Sequence, residues 1–192
     1  MAEWFVDAGT DDVALEKLSA RFRGMMRFER VSEGSIRVMA PESTDNSRDE
    51  QRLSGQIYVW NQASGEPGDL FGANGGWRLP DGSVLSPDVA WVRVDRYAAL
   101  TDDQRTPFAQ LVPDLVIEVL SPRDSRPEGI AKMRKWRTNG VRLGWLIDPV
   151  RHLAWVFRAG DDADPEPLEN PDSLAGEDVL PGFTADLTRI WR

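Results

Sequence analysis

Apolar and polar positions follow two rhythms along this chain. Over residues 48–61, "RDEQRLSGQIYVWN", Leu53, Ile57 and Trp60 fall on one helical face, which predicts a helix despite Gly55. Residues 11–23, "DDVALEKLSARFR", predict a shorter amphipathic helix with Asp11 or Asp12 as its cap. Between them "FERVSEGSIRVMAP" alternates about Glu33-Gly34-Ser35 as a hairpin does, and "PESTDNS" reads as a loop. "ASGEPGD" breaks the chain, and "WRLPDGSVLSPDVAWVRV" sets a Pro-Asp-Gly turn between two extended runs. Residues 95–113 form a connection with a short helical piece in "TDDQRTPF".

The second half carries the strongest signals. Leu115 to Leu120 is a short apolar run that predicts a buried strand. A helix is expected from about Pro127 to Thr138, closed by Asn139-Gly140. "RLGWLIDP" and "HLAWVFR" read as two further strands. Residues 159–178 are acidic and rich in Pro and Gly, as in a loop or flap, and the tail 179–192 is apolar enough to dock on the body. The pattern is mixed α/β, and 192 residues suit a single domain with its core at about 28–158.

Composition narrows the chemistry. With no cysteine and one histidine, His152, thiolate chemistry and multi-His metal sites are excluded, and a Ser-His-Asp triad is disfavoured. No run approaches the ~20 apolar residues of a membrane span, and the N-terminus lacks a signal-peptide pattern, so a cytoplasmic location is expected. The net charge of −9 opposes broad binding to nucleic acid. Residues 123–142, however, hold seven Lys or Arg against two Asp or Glu, a local balance of about +5 that predicts one modestly basic face. Of the eight tryptophans, Trp60, Trp91, Trp136, Trp145 and Trp155 are expected in the core or at a dimer interface.

One residue breaks the apolar run: Glu118 lies among Leu115, Val116, Ile117, Val119 and Leu120. A buried carboxylate needs a partner. Three kinds are available: Asp88 at the start of another apolar run, Lys132 or Lys135 one turn apart on the following helix, and an acid of the upstream helix, Glu50 being the best candidate. Two carboxylates and a lysine suit phosphodiester hydrolysis, with a hard cation on the carboxylates and the ammonium on the attacking water or the developing charge. Asp114, Ser121, Asp124 and Asp148 are expected to shape turns, and His152 to lie on an edge strand.

"SPDVAWV", "PDLVIEVLSPRDS", "KMRKWRTNGVRLGWLIDP", "GQIYVWN" and "WRLPDGSVLSPD" together resemble the Uma-type endonuclease family of the PD-(D/E)XK restriction-endonuclease-like superfamily, over roughly residues 28–158. The resemblance implies a central mixed β-sheet in αβββαβ order, flanked by helices, with an N-terminal helix and hairpin added. It implies Asp88 and Glu118 as ligands of Mg²⁺ or Mn²⁺. The lysine expected two residues after Glu118 is replaced by Leu120, and Lys132 matches its displaced position on the helix. DNA is the implied substrate and a homodimer the implied assembly. The rival expectation is a nuclease-fold module that binds DNA or a protein without catalysis.

Overall fold

The computed structural model describes residues 4–7, 12–22, 26–32, 35–39 and 43–192. In chain order the elements are β1 (Trp4–Asp7), α1 (Asp12–Arg21), β2 (Arg27–Ser32), β3 (Ser35–Met39), α2 (Thr44–Ala63), β4 (Gly68–Gly72), β5 (Trp77–Arg78), β6 (Val84–Leu85) and β7 (Val89–Arg93). There follow α3 (Val94–Ala98), α4 (Asp102–Arg105), β8 (Leu115–Val119), α5 (Arg126–Thr138), β9 (Leu143–Asp148), β10 (Leu153–Arg158), β11 (Leu168–Glu169), β12 (Ser173–Ala175) and β13 (Thr184–Asp186).

The strands form a six-stranded sheet in the order β11-β10-β9-β8-β7-β4, a five-stranded sheet in the order β1-β3-β2-β6-β5, and the β12-β13 hairpin. In the larger sheet β8 and β9 are parallel and the other pairs antiparallel. A parallel pair needs a crossover, and α5 provides it. The run α2-β4-β7-β8-α5-β9 thus has the αβββαβ order, a mixed sheet flanked by helices, with two strands added beyond β9.

Side-chain alternation divides this sheet's contacts between two faces. Val89, Trp91, Leu115, Ile117, Trp145 and Ile147 pack under Leu53 and Ile57 of α2 and under the tail residues Leu180, Phe183, Leu187 and Ile190. Ala90, Val92, Val116 and Leu146 face Met133 and Trp136 of α5, with Trp77 and Leu85 from the smaller sheet. Glu118 has the parity of Val116, and Asp88 that of Ala90, so both belong to the α5 face.

Several elements differ from expectation. Helix α2 begins at Thr44, inside the predicted loop, because Ser43 Oγ caps it by accepting the Asn46 N–H at 3.3 Å. Strand β4 begins inside the stretch that read as a break, at Gly68 and Asp69; glycines bound it, and pairing with β7 along five residues makes it a strand. Helix α3 and strands β11 and β12 arise in segments that read as irregular. His152 sits in the β9–β10 turn at φ 54°, not on a strand, with its ring nitrogens 3.0 Å from Asn170 Oδ1 and 2.7 Å from the Arg192 carbonyl. The cap candidate Asp11 and the hairpin turn at Glu33-Gly34 lie outside the described residues.

Candidate active site

Register brings the two predicted acids together. Val89 pairs with Ile117 across the β7–β8 ladder, so Asp88, one residue before β7, falls opposite Glu118. Asp88 Oδ2 accepts the Val119 N–H at 2.8 Å, which extends the ladder through a side chain. Its Oδ1 lies 3.3 Å from Arg27 Nη1. Glu118 Oε1 accepts the Trp136 indole N–H at 2.9 Å, and both Glu118 oxygens lie 3.0 Å from Lys132 Nζ.

Lys132 reaches Glu118 because α5 lies close on the sheet. A Cβ at Gly129, one turn before Lys132, would stand 2.9 Å from Leu120 Cδ2, and the missing side chain lets the helix approach. The ammonium has three sets of acceptors: Glu118, Glu29 Oε1 at 2.8 Å, and the Ser86 carbonyl at 2.9 Å. These match the three donors of an ammonium. Lys135 is not part of this group. It donates to the Val31 carbonyl, further along β2 than Glu29, and lies 3.4 Å from Asp81.

Arg27, Glu29 and Asn46 escaped sequence reasoning. Arg27 and Glu29 alternate on β2, in a sheet that gave no sign of facing the acids. Glu29 is fully buried, and its Oε1 also accepts the Ser86 N–H at 2.9 Å. Asn46, at the start of α2, donates to the Val119 carbonyl at 3.2 Å and accepts from Arg192 at 2.9 Å. The available signal was spacing: Asn46, Asp49, Glu50, Leu53, Ile57 and Asn61 form the buried face of α2, so its polar end is aimed inward. Glu50, on that face, is buried within electrostatic range of Asp88, Arg27 and Glu118.

Burial dominates the electrostatics. It pushes Glu118 up to about 8, with Asp88 and Glu29 adding to the rise against the pull of Lys132 and the Trp136 bond. Glu50 is likewise pushed up to about 8, by burial and then by Asp88, with Arg27 opposing and Glu118 and Asp49 adding. Burial acts to lower Lys132, but the carboxylates of Glu118, Glu29 and Asp88 outweigh it and hold the ammonium protonated. Glu29 and Glu50 thus stand near a pocket whose polar lining is Arg27, Arg37, Asn46, Asp88, Glu118, Asp124, Glu128 and Lys132. Its volume is about 70 Å³, several times the ~10–15 Å³ that one water requires.

The donor chemistry fits a hard cation. Glu50 Oε1 is buried with no hydrogen-bond partner, and the acids outnumber the basic groups of the pocket. Among the described residues no three His, Asp or Glu side chains are grouped to hold a metal. A cation held here would take one or two carboxylates and complete its shell with water and phosphate oxygens, as Mg²⁺ can.

Other expectations resolve simply. Asp114 is buried, accepts the Arg93 N–H at 3.0 Å and lies 2.7 Å from Arg96, staples for the approach to β8. Asp124 accepts the Ser121 N–H at 2.7 Å, and Asp148 the Arg151 N–H at 3.1 Å, both within turns. Trp91, Trp136, Trp145 and Trp155 are buried and Trp60 is half-buried against them. The acidic segment lies against part of the predicted basic face and engages three of its seven cations. Arg134 pairs with Asp164, Arg137 donates to the Ala163 carbonyl at 2.6 Å, and Arg142 lies 2.8 Å from Asp178. No helix among the described residues is long and apolar enough to cross a membrane.

Known proteins resemble both the sequence and the fold. The family model described as "Uma2: Putative restriction endonuclease" matches residues 14–188. A crystal structure described as "a putative nuclease belonging to DUF820", from Anabaena variabilis ATCC 29413, superposes with a TM-score of 0.71 at 19% identity, covering 85% of this chain and 89% of that one. At that identity the likeness is one of fold. No curated protein matches the chain.

Proposed function

The chain belongs to the Uma2 family, and from that premise we propose that it is a divalent-metal-dependent endonuclease that hydrolyses phosphodiester bonds in DNA. Residues 1–192 would form one restriction-endonuclease-like domain, acting as a homodimer so that two sites address two strands. The observation that carries the reading is the meeting of Asp88, Glu118 and Lys132, distant in sequence, around one pocket at the β7–β8 end of the sheet.

In this reading Asp88 and Glu118 would hold one Mg²⁺ or Mn²⁺, and Glu50 stands near them as a carboxyl that a bound cation would help to ionise. The cation supplies polarisation of a phosphoryl oxygen and a more acidic attacking water. Asp88 is held for this by the Val119 N–H, and Glu118 by the Trp136 indole. The Lys132 ammonium orients the water or receives the charge that develops on phosphate. Arg27, 3.3 Å from Asp88, is placed to meet a phosphate at the pocket mouth. With a net charge of −9 and Arg134, Arg137 and Arg142 already engaged, DNA binding is expected to be weak and salt-sensitive.

The test is calorimetric titration of Mn²⁺ and Mg²⁺ into the wild type and Glu118→Ala, with plasmid nicking read on the same samples. Metal binding and nicking, both lost in the variant, support the reading. Their absence from the wild type sinks it. One observation favours a silent module instead: Arg27 and Lys132 already occupy oxygens of Asp88 and Glu118 without a metal. Metal binding without nicking of any DNA would choose that alternative.

A further inference from the structure

Lys132 is held by more than the acid it serves. Its ammonium spans Glu118 on the larger sheet and Glu29 on the smaller one, 3.0 and 2.8 Å away. Glu29 is fully buried on β2, opposite Arg37 of β3 in the register of the smaller sheet. Its Oε1 takes both the Lys132 ammonium and the N–H of Ser86, while its Oε2 has no hydrogen-bond partner. Ser86 in turn gives its carbonyl to Lys132 and leads through Pro87 into Asp88. One carboxylate of the N-terminal sheet therefore touches both the lysine and the corner that delivers the first acid.

Whichever element carries it, a lysine ammonium hangs at the end of four methylenes, whose freedom must be removed by contacts at the tip. Glu118 alone cannot remove it, since an ammonium can swing about a single acceptor pair. A second carboxylate and a carbonyl on the far side define one position.

We propose that Glu29 is a positioning residue that fixes the Lys132 ammonium over Glu118, making the N-terminal sheet a working part of the site. Its effect on turnover rests on the nuclease reading; its effect on the ammonium does not. The test compares Glu29→Gln, Lys132→Ala and the double variant in the full chain. Gln keeps an oxygen for the Ser86 N–H and removes the charge. Turnover in Glu29→Gln should fall about 10–100-fold with KM unchanged, the range typical of outer-shell partners. The double variant should be no slower than Lys132→Ala, because Gln keeps the Ser86 bond and the charge of Glu29 acts through the lysine. Glu29→Asp, which keeps the charge at shorter reach, should be intermediate and also serves if Glu29→Gln folds poorly.

A second readout is independent of catalysis. The Lys132 ammonium, immobilised in the metal-free wild type, should give a slowly exchanging nitrogen-15 NMR signal that Glu29→Gln loses. An unchanged ammonium signal, or losses in turnover that add in the double variant, overturns the proposal. Should the wild type cleave no nucleic acid, the nuclease reading falls, and the ammonium signal alone still decides the role of Glu29.

Discussion

Glu118→Gln should make the metal-free protein more stable. The ordinary value of the glutamate is 4.5, and burial, helped by Asp88 and Glu29 against Lys132, pushes it up to about 8 in the fold. Between those values the folded chain binds the proton more tightly than the unfolded one. The stability associated with this group is thus complete below 4.5 and drains away as pH rises toward 8. At 1.36 kcal/mol per unit, the cost relative to an uncharged isostere is about 3 kcal/mol at pH 7 and about 1 kcal/mol at pH 5. Glutamine has nearly the same shape and keeps an oxygen for the Trp136 indole, and Lys132 keeps Glu29 and the Ser86 carbonyl, but the new amide NH2 takes the Oε2 place 3.0 Å from the Lys132 ammonium and offsets part of the gain. Urea unfolding in the presence of a chelator should therefore show the variant ahead of the wild type at pH 7 by up to about 3 kcal/mol, the margin narrowing toward pH 5. Added Mn²⁺ should raise the wild type and not the variant, by mass action on the folded state. A variant no more stable than the wild type at pH 7, or a difference that ignores pH, would refute the electrostatic reasoning.

Other consequences can be checked with routine variants. Lys132→Ala should lower nicking at least about 100-fold, the low end for a group that moves or steadies a proton, whereas Lys135→Ala should nick as the wild type does. Gly68→Ala should destabilise by about 1–3 kcal/mol in urea, because the new Cβ would stand 2.4 Å from the Trp91 ring and the Val92 carbonyl, neither free to yield. Asp81 feels some burial, but bonds from the Ser83 hydroxyl and amide and from Asn139, with the charge of Lys135, lower it to about 2. Its stabilisation is present above its ordinary 3.8 and lost as pH falls through about 2, so Asp81→Ala should be less stable than the wild type at pH 7 and equal to it near pH 2.

The acidic segment changes how charge is read in this protein. Arg134 and Arg137 of α5 and Arg142 just before β9 are engaged by Asp164, the Ala163 carbonyl and Asp178, and Lys132 and Lys135 by Glu118, Glu29 and Asp81, so most of the local excess of +5 in the sequence is not a free surface. Exposed pairs of this kind contribute little to stability.

Much of this protein was settled by its sequence. Short-range rules suffice where one element carries its own signal. The apolar run at Leu115–Val119, the helix closed by Asn139-Gly140 and the strand stopped at Asp148-Pro149 need no partner to be read. A glutamate inside a buried strand announces itself, because a desolvated carboxylate demands compensation. The smaller features had no such signal. Strand β4 exists because β7 offers it a ladder, and α2 starts early because Ser43 caps it against a body that covers Asn46 and Asp49. Only the tertiary structure could choose Lys132 over Lys135. Both lie on the same stretch of helix, and the close seat of α5 at Gly129 turns one to Glu118 and leaves the other at Asp81. The same holds for Arg27 and Glu29, which alternation places on one face of β2 but which meet Asp88 and Lys132 only when two sheets come together. Local propensity is written residue by residue, whereas the company a side chain keeps depends on chain distant from it in sequence.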